Sequence, residues 1–94
     1  MAELRQILKG LGKTPEGIEK RSEIISKYKI RLPELDYKLL YYTFVKNYSV
    51  GNICMKFIPN AESTYYNKLD KALARLEMLI TDSEFREMTR LAKL

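Results

Sequence analysis

Hydrophobic residues recur every three or four positions along almost the entire chain, which is the spacing of an amphipathic helix. The first segment carries four apolar residues at this spacing: Leu4, Ile7, Leu8 and Leu11. Gly10 and Gly12 are predicted to end it, because glycine is a poor helix former. No run alternates polar and apolar residues as a half-buried strand would. The pattern predicts an all-α protein with about five helices.

A second helix is predicted to begin at Thr14 and Pro15. Threonine is a favoured N-cap residue, and proline fits the first helical position. The residues predicted to face inward from this helix are Ile18, Ile25 and Tyr28. The residues predicted to form an i,i+4 ladder of charges on its solvated face are Glu19, Glu23 and Lys27.

Pro33 separates this helix from a third one, which is predicted over about 34–47. The third helix contains the tyrosine-rich stretch YKLLYYTF at positions 37–44. Successive residues of a helix cannot all point the same way. We therefore interpret these tyrosines as core and interface residues rather than as a platform for stacking nucleic-acid bases.

A short helix followed by a long one is predicted in the second half of the chain. Ser49 is expected to cap a helix over 50–57, with its inward face formed by Ile53, Cys54 and Phe57. Pro59 is expected to end it, and Asn60 to cap a long helix over 61–80. The buried stripe of the long helix is predicted to consist of Tyr65, Leu69, Ala72, Leu73, Leu76 and Ile80.

The opposite face of the long helix is polar in its first half. It carries Ser63, Thr64, Asn67 and Lys71, with Lys68 and Arg75 beside them and Tyr66 at the boundary. Ala74 and Met78 also point outward, so a further helix is expected to cover the second half of this face. The sequence TDSE at 81–84 has the form of a capping box. It starts a terminal helix, whose apolar face is formed by Phe85, Met88, Leu91 and Ala92. This terminal helix is the one expected to cover Ala74 and Met78.

A short helix, a tight turn and a second helix with a polar start form a helix-turn-helix, whose second helix enters the DNA major groove. Asparagine can bond adenine through two hydrogen bonds, and lysine can reach guanine or a phosphate. Serine and threonine can bond either a base or the backbone. The competing interpretation of Ser63, Asn67 and Lys71 is an ordinary solvated helix face.

The composition excludes most catalytic and metal chemistry. The chain has 94 residues, which predicts one domain over 1–94, and it contains no histidine and a single cysteine. A Cys/His zinc site is therefore excluded, and no motif for nucleotide binding or metal-dependent hydrolysis occurs. We expect no enzymatic activity, no metal and no cofactor, and we expect Cys54 to be a buried apolar side chain. No apolar run is long enough to span a membrane, and the N-terminus lacks a signal peptide, so a cytoplasmic protein is expected.

The net charge of +5 is concentrated near the N-terminus. Residues 1–31 hold eight basic and four acidic residues, whereas residues 61–94 hold six of each. A basic protein of this size is expected to meet an anionic partner, although surface lysines also serve solubility. Residues 1–31 are accordingly predicted to form a basic helical arm, residues 32–80 a helix-turn-helix core, and residues 81–94 a C-terminal helix.

From Leu32 to about Leu79 the sequence resembles the region-4 helix-turn-helix of sigma factors. It is also similar to the small ArpU-like transcription regulators of phages. The resemblance rests on an apolar helix with an aromatic end, then Ser49, Ile53 and Cys54, then Phe57, and the ending KALARL at 71–76. Cys54 stands where alanine is usual, and the turn at 58–60 contains no glycine.

The resemblance implies a phage or prophage transcription regulator, or a packaging adaptor, in the cytoplasm of a bacterial host. Its partner would be double-stranded DNA, with RNA polymerase as a further candidate, and a homodimer is expected. The resemblance places Ser63, Thr64, Asn67, Lys68 and Lys71 where that family contacts DNA. The polar face of the long helix adds Tyr66 and Arg75 to the predicted DNA-binding residues. The alternative is a helical adaptor that binds a protein and no DNA. The terminal helix is a candidate dimer surface, unless it completes the monomer core.

Overall fold

The structure, a computed structural model, describes residues 2–58 and 62–94. These residues form six helices, one more than the number predicted, and no strand, so the all-α prediction is confirmed. The helices are α1 (Ala2–Gly10), α2 (Pro15–Lys27), α3 (Glu34–Leu40), α4 (Val50–Phe57), α5 (Glu62–Leu79) and α6 (Asp82–Ala92). Two 3-10 segments lie at Leu11–Lys13 and Lys29–Arg31, and a π-helical segment follows α3 at Tyr41–Val45. The predicted Pro59 terminator and Asn60 cap lie outside the described residues.

The basic N-terminal segment packs into the same hydrophobic core as the rest of the chain. Its buried apolar residues are Leu4, Ile7, Leu8, Leu11, Ile24, Ile25 and Tyr28. Arg21 is also buried, and its Nη1 donates to the Leu8 carbonyl oxygen at 2.9 Å. Burial lowers the pKa of Arg21, because it disfavours the charged form. Arg21 thus serves the fold rather than the basic surface.

The start of α2 confirms the predicted cap and corrects one inward residue. The Thr14 hydroxyl accepts a hydrogen bond from the Gly17 amide at 3.0 Å, as expected of an N-cap. Ile18 was predicted to be buried, but it is 47% exposed. Gly17 occupies the buried side of this turn instead, since its backbone lies directly against the Leu11 carbonyl group.

The third predicted helix changes its winding in the middle. Regular α-helix ends at Leu40, and the next five residues are π-helical, with Lys46 N donating to Tyr41 O at 3.0 Å. Asn47 then adopts a positive φ of 57° and leads into α4. Asparagine tolerates this left-handed conformation better than most residues. The sequence pattern predicted one regular helix and gave no sign of the π-helical segment.

The core of the second half follows the predicted stripe of α5. Tyr65, Leu69, Ala72, Leu73 and Leu76 are buried, whereas Ile80 is half-buried just beyond the helix end. The helix α5 packs against both α3 and α4. The Ser49 hydroxyl caps α4 by accepting from Asn52 N at 3.2 Å. Cys54 is buried, as predicted.

The terminal helix begins with the predicted capping box but packs elsewhere than expected. Thr81 Oγ1 accepts from Glu84 N at 3.1 Å, and Glu84 Oε1 accepts from Thr81 N at 2.9 Å. The helix α6 packs against α1 and α2, where Met88 and Leu91 complete the core. It was predicted to cover Met78, but Met78 is 87% exposed. The prediction that α6 covers this part of α5 was therefore wrong. The apolar face of α6 packs against the N-terminal helices instead, a contact that no local sequence pattern encodes.

Glu84 also ties α6 to α2. Its Oε1 accepts from the Tyr28 hydroxyl at 2.6 Å, and its Oε2 pairs with Lys27 Nζ at 2.6 Å. Lys27 was predicted to belong to a ladder with Glu23 and Glu19. The three residues are exposed, as predicted, but they do not pair with one another. Lys27 reaches across to Glu84, while Glu23 pairs with Lys20 at 3.4 Å.

Burial alone would raise the pKa of Glu84, but hydrogen bonds from Lys27, Thr81 and Tyr28 outweigh it and lower the pKa from 4.5 to about 2. Because the folded pKa is depressed, the stabilisation is complete above pH 4.5 and is lost as the pH falls towards 2. At about 1.4 kcal/mol per pKa unit, the stabilisation that Glu84 contributes amounts to at most roughly 3.5 kcal/mol.

We expect Glu84→Gln to flatten the dependence of stability on pH in this acidic range. The variant should also lose about 1–2 kcal/mol at neutral pH, because an amide accepts weaker hydrogen bonds than a carboxylate. Urea unfolding between pH 2 and 6 measures both effects. Glu87→Gln on the more exposed side of α6 is the control, and its pH dependence should follow that of the unaltered protein. If the stability of the two variants depended on pH in the same way, the acidic pH dependence could not be assigned to Glu84.

Candidate nucleic-acid interface

The exposed face of α5 begins with a line of polar side chains. Ser63, Asn67 and Lys71 are all exposed and follow one another at intervals of four residues. Four residues of a helix rise about 6 Å, so the line extends over roughly 12 Å. Lys68 is exposed beside it. The residues that oppose this line, among them Leu69 and Leu73, are held in the core, and this fixes the direction in which the polar side chains point.

The remaining predicted site residues lie at the margins of this line. Thr64 is half-buried, and Tyr66 is 44% exposed with its ring edge-on to that of Tyr65, at a centroid distance of 4.9 Å. The Tyr65 hydroxyl is hydrogen-bonded to that of Thr43 at 2.8 Å, which anchors this turn of α5 to the π-helical segment. Desolvation by burial raises the pKa of Tyr65.

Arg75 differs from the other predicted site residues because it forms an ion pair within the protein. Its Nη1 donates to Asp36 Oδ2 on α3, and the Asp36 side chain is only 8% exposed. A buried carboxylate without a partner would be costly, so Arg75 compensates Asp36 and joins α5 to α3. Sequence reasoning could not detect this pair, because its residues are 39 positions apart.

Ion pairs among the described residues involve one of the charged side chains next to the polar line and leave others unpaired. Asp70, also on α5, pairs with Arg5 of α1, which offsets an acidic group that would oppose a nucleic acid. Within the described residues, Lys68 and Lys71 belong to none of the ion pairs. Lys56, on the neighbouring helix α4, is also exposed. This surface is mildly basic rather than strongly so.

A band of contacting tyrosines runs from α3 through the π-helical segment to Tyr48, and it was not expected from the sequence. The ring centroids of Tyr37 and Tyr41 are 5.6 Å apart, those of Tyr41 and Tyr42 are 5.4 Å apart, and those of Tyr42 and Tyr48 are 5.0 Å apart. Lys29 and Lys46 lie over the Tyr37 and Tyr41 rings at 5.3 and 5.8 Å. The i,i+4 spacing of Tyr37 and Tyr41 was the signal available in the sequence.

These rings are half-buried against the core, apart from Tyr48, which is more exposed. The prediction that the tyrosines contribute to the core is therefore confirmed for the partly buried ones. The rings of the successive residues Tyr41 and Tyr42 meet edge to face.

No helix of the described ranges has the length and apolar character that a membrane span requires. Across residues 2–58 and 62–94, no three acidic or cysteine side chains gather into a metal site. No family model, curated protein or solved structure matches the chain.

Proposed function

We propose that the protein binds DNA in a sequence-specific manner as a phage or prophage transcription regulator, with α4 and α5 acting as a helix-turn-helix. The observation that carries the proposal is the exposed polar line of Ser63, Asn67 and Lys71 on a helix whose opposite face is buried. A recognition helix needs this arrangement, since it must present base-contacting side chains while its other face holds the fold together.

The dimensions of the polar line suit a major groove. A length of roughly 12 Å corresponds to three or four base pairs at about 3.4 Å each. Asn67 lies in the middle of the line, where it would contact adenine through both its amide oxygen and its amide nitrogen. Lys71 lies one turn farther along, where it would reach guanine or a phosphate.

Electrostatics set the expected salt dependence of DNA binding. Arg21 is buried and Arg75 is paired, so neither adds to the charge available for phosphates. If Lys56, Lys68 and Lys71 each neutralise one phosphate, the logarithm of the binding constant should fall with a slope of about −3 against the logarithm of salt. Such a slope is modest, and a second copy on an adjacent half-site would be needed for tight binding.

Two substitutions on α5 test the proposal. With a duplex selected from a random-sequence library, Asn67→Ala should cost about 1–3 kcal/mol and relax the preference at one base pair. Lys71→Ala should weaken binding to selected and random duplexes alike and reduce the salt slope by about one, if Lys71 contacts a phosphate. Mobility shifts at several salt concentrations measure both.

The matched control is Arg86→Ala, which removes an exposed cation from α6 and should leave the salt slope unchanged. Circular dichroism should show all three variants to be folded, because the substituted side chains are exposed. Unchanged DNA binding by folded Asn67→Ala and Lys71→Ala would reject the proposed interface.

The second candidate is a helical adaptor that binds RNA polymerase or a phage component and no DNA. It is favoured by the exposure of Met78, a large apolar side chain on the outward face of the second half of α5. A salt titration with random duplex DNA distinguishes the two functions, since a DNA-binding protein loses affinity with salt and an adaptor shows no binding at any salt concentration.

A further inference from the structure

A cleft of about 160 Å³ lies between α1, the π-helical segment and the first half of α5. Four of its nine lining residues are aromatic: Phe44, Tyr48, Tyr65 and Tyr66. Val50, at the start of α4, also borders it. Ligand sites in proteins commonly combine such apolar walls with a few polar groups that fix the orientation of the ligand.

The polar groups of this cleft come from two sides. Arg5 and Lys9 on α1 supply positive charge, and Thr43 supplies a hydroxyl that is already hydrogen-bonded to Tyr65. Asp70 on α5 pairs its carboxylate with Nη2 of Arg5. Lys9 is exposed, and within the described residues it belongs to none of the ion pairs.

One donor at the cleft lacks a partner. The Nε of Arg5 is buried and forms no hydrogen bond with any described residue, although Nη2 of the same side chain is bonded to Asp70. This atom has less than 1 Å² of accessible surface, so a ligand in the cleft cannot reach it. What Arg5 and Lys9 offer an anion in the cleft is their positive charge.

We propose that this cleft binds a small aryl carboxylate, with the ring against the exposed tyrosines Tyr48 and Tyr66 and the carboxylate towards Arg5 and Lys9. The volume supports one ring only, since cavities of about 150 Å³ accommodate benzene. The aromatic walls favour a planar ring over an aliphatic chain, because offset and edge-on contacts between rings are attractive. The inference goes beyond the proposed DNA binding and does not depend on it.

Benzoate is the probe for this site, and benzamide is its uncharged counterpart of the same shape. Titration of the ¹⁵N-labelled full chain with benzoate should shift the amide signals of residues 5–9, 43–50 and 65–69 in a saturable way. The dissociation constant should be on the order of 1 mM, which one ring and one carboxylate can provide. Benzamide should bind at least about threefold more weakly, because it lacks the charge that Arg5 and Lys9 attract.

Two variants locate the binding in the cleft. Lys9→Ala should weaken benzoate binding about threefold or more and leave benzamide binding unchanged. Val50→Phe should block both probes by filling the cleft, with folding verified from the NMR spectrum. The matched control Lys13→Ala removes a nearby exposed cation that does not line the cleft, and it should bind benzoate normally.

The absence of saturable shifts at 10-fold the expected constant, ~10 mM, would overturn the proposal. So would equal binding of benzoate and benzamide, or equal weakening by Lys9→Ala and Lys13→Ala, since each result would remove the assigned role of the charge. These outcomes are independent of any DNA measurement.

Discussion

Leu73→Ala is expected to lower the free energy of unfolding by about 2–5 kcal/mol, the range found when a buried leucine is truncated in a packed core. Leu73 has no exposed surface and lies in the middle of the α5 stripe, between Leu69 and Leu76. The helix α5 is held against both α3 and α4, so the core cannot collapse freely into the space that the leucine leaves. Urea unfolding followed by circular dichroism measures the change.

The matched control is Met78→Ala on the same helix. Met78 is 87% exposed, so its truncation removes little buried area and should change the stability by less than about 0.5 kcal/mol. A small protein of this kind has only about 5–15 kcal/mol of total stability, and Leu73→Ala should therefore move the unfolding midpoint substantially. If the two variants unfolded at the same urea concentration, the buried stripe would be assigned to the wrong face of α5.

The features that could be predicted from the sequence are those set by neighbouring residues. Thr14, Ser49 and Thr81 cap helices because a side-chain oxygen satisfies a free backbone amide two or three positions along. The buried stripe of α5 follows from the helical period alone, and Leu73 and Leu76 lie where that period places them. Both rules are local, so a single sequence is sufficient to apply them.

The contacts that could not be predicted join residues far apart in the chain. Lys27 and Glu84 are 57 positions apart, and Arg5 and Asp70 are 65 positions apart. A helix period identifies an apolar face but not the face that it meets, and for this reason α6 was expected over Met78 rather than on α1 and α2.

The candidate site also contains features that could be predicted from the sequence and features that could not. The exposure of Asn67 and Lys71 could be inferred because it is the complement of the buried stripe. Arg75 has the same sequence signature as its neighbours, but its pairing with Asp36 gives it a structural role that only the tertiary fold reveals. The aromatic cleft was invisible in the sequence, because Lys9 and Tyr66 become neighbours only when α1 packs beside α5.

A second large effect is expected at Gly17, where the fold brings two backbone segments into direct contact. A Cβ atom added to Gly17 would lie 2.2 Å from the Leu11 carbonyl oxygen and 2.9 Å from its carbonyl carbon. Side chains can rotate away from a new methyl group, but these atoms belong to the backbone. Leu11 is itself fully buried, so the 3-10 segment Leu11–Lys13 could move only by disturbing the core.

Gly17→Ala should therefore destabilise the protein by about 3 kcal/mol or more, at the upper end of the cost of overpacking. The direction of this change in stability is informative, because replacing a helical glycine by alanine ordinarily stabilises a protein by about 0.5–1 kcal/mol. Gly51→Ala in α4 is the matched control, since a Cβ there meets nothing within 4 Å, and this variant should gain that ordinary stabilisation. Thermal and urea unfolding of both variants would measure the difference. If Gly17→Ala were as stable as Gly51→Ala, then α2 could not lie against the Leu11 carbonyl as the fold requires.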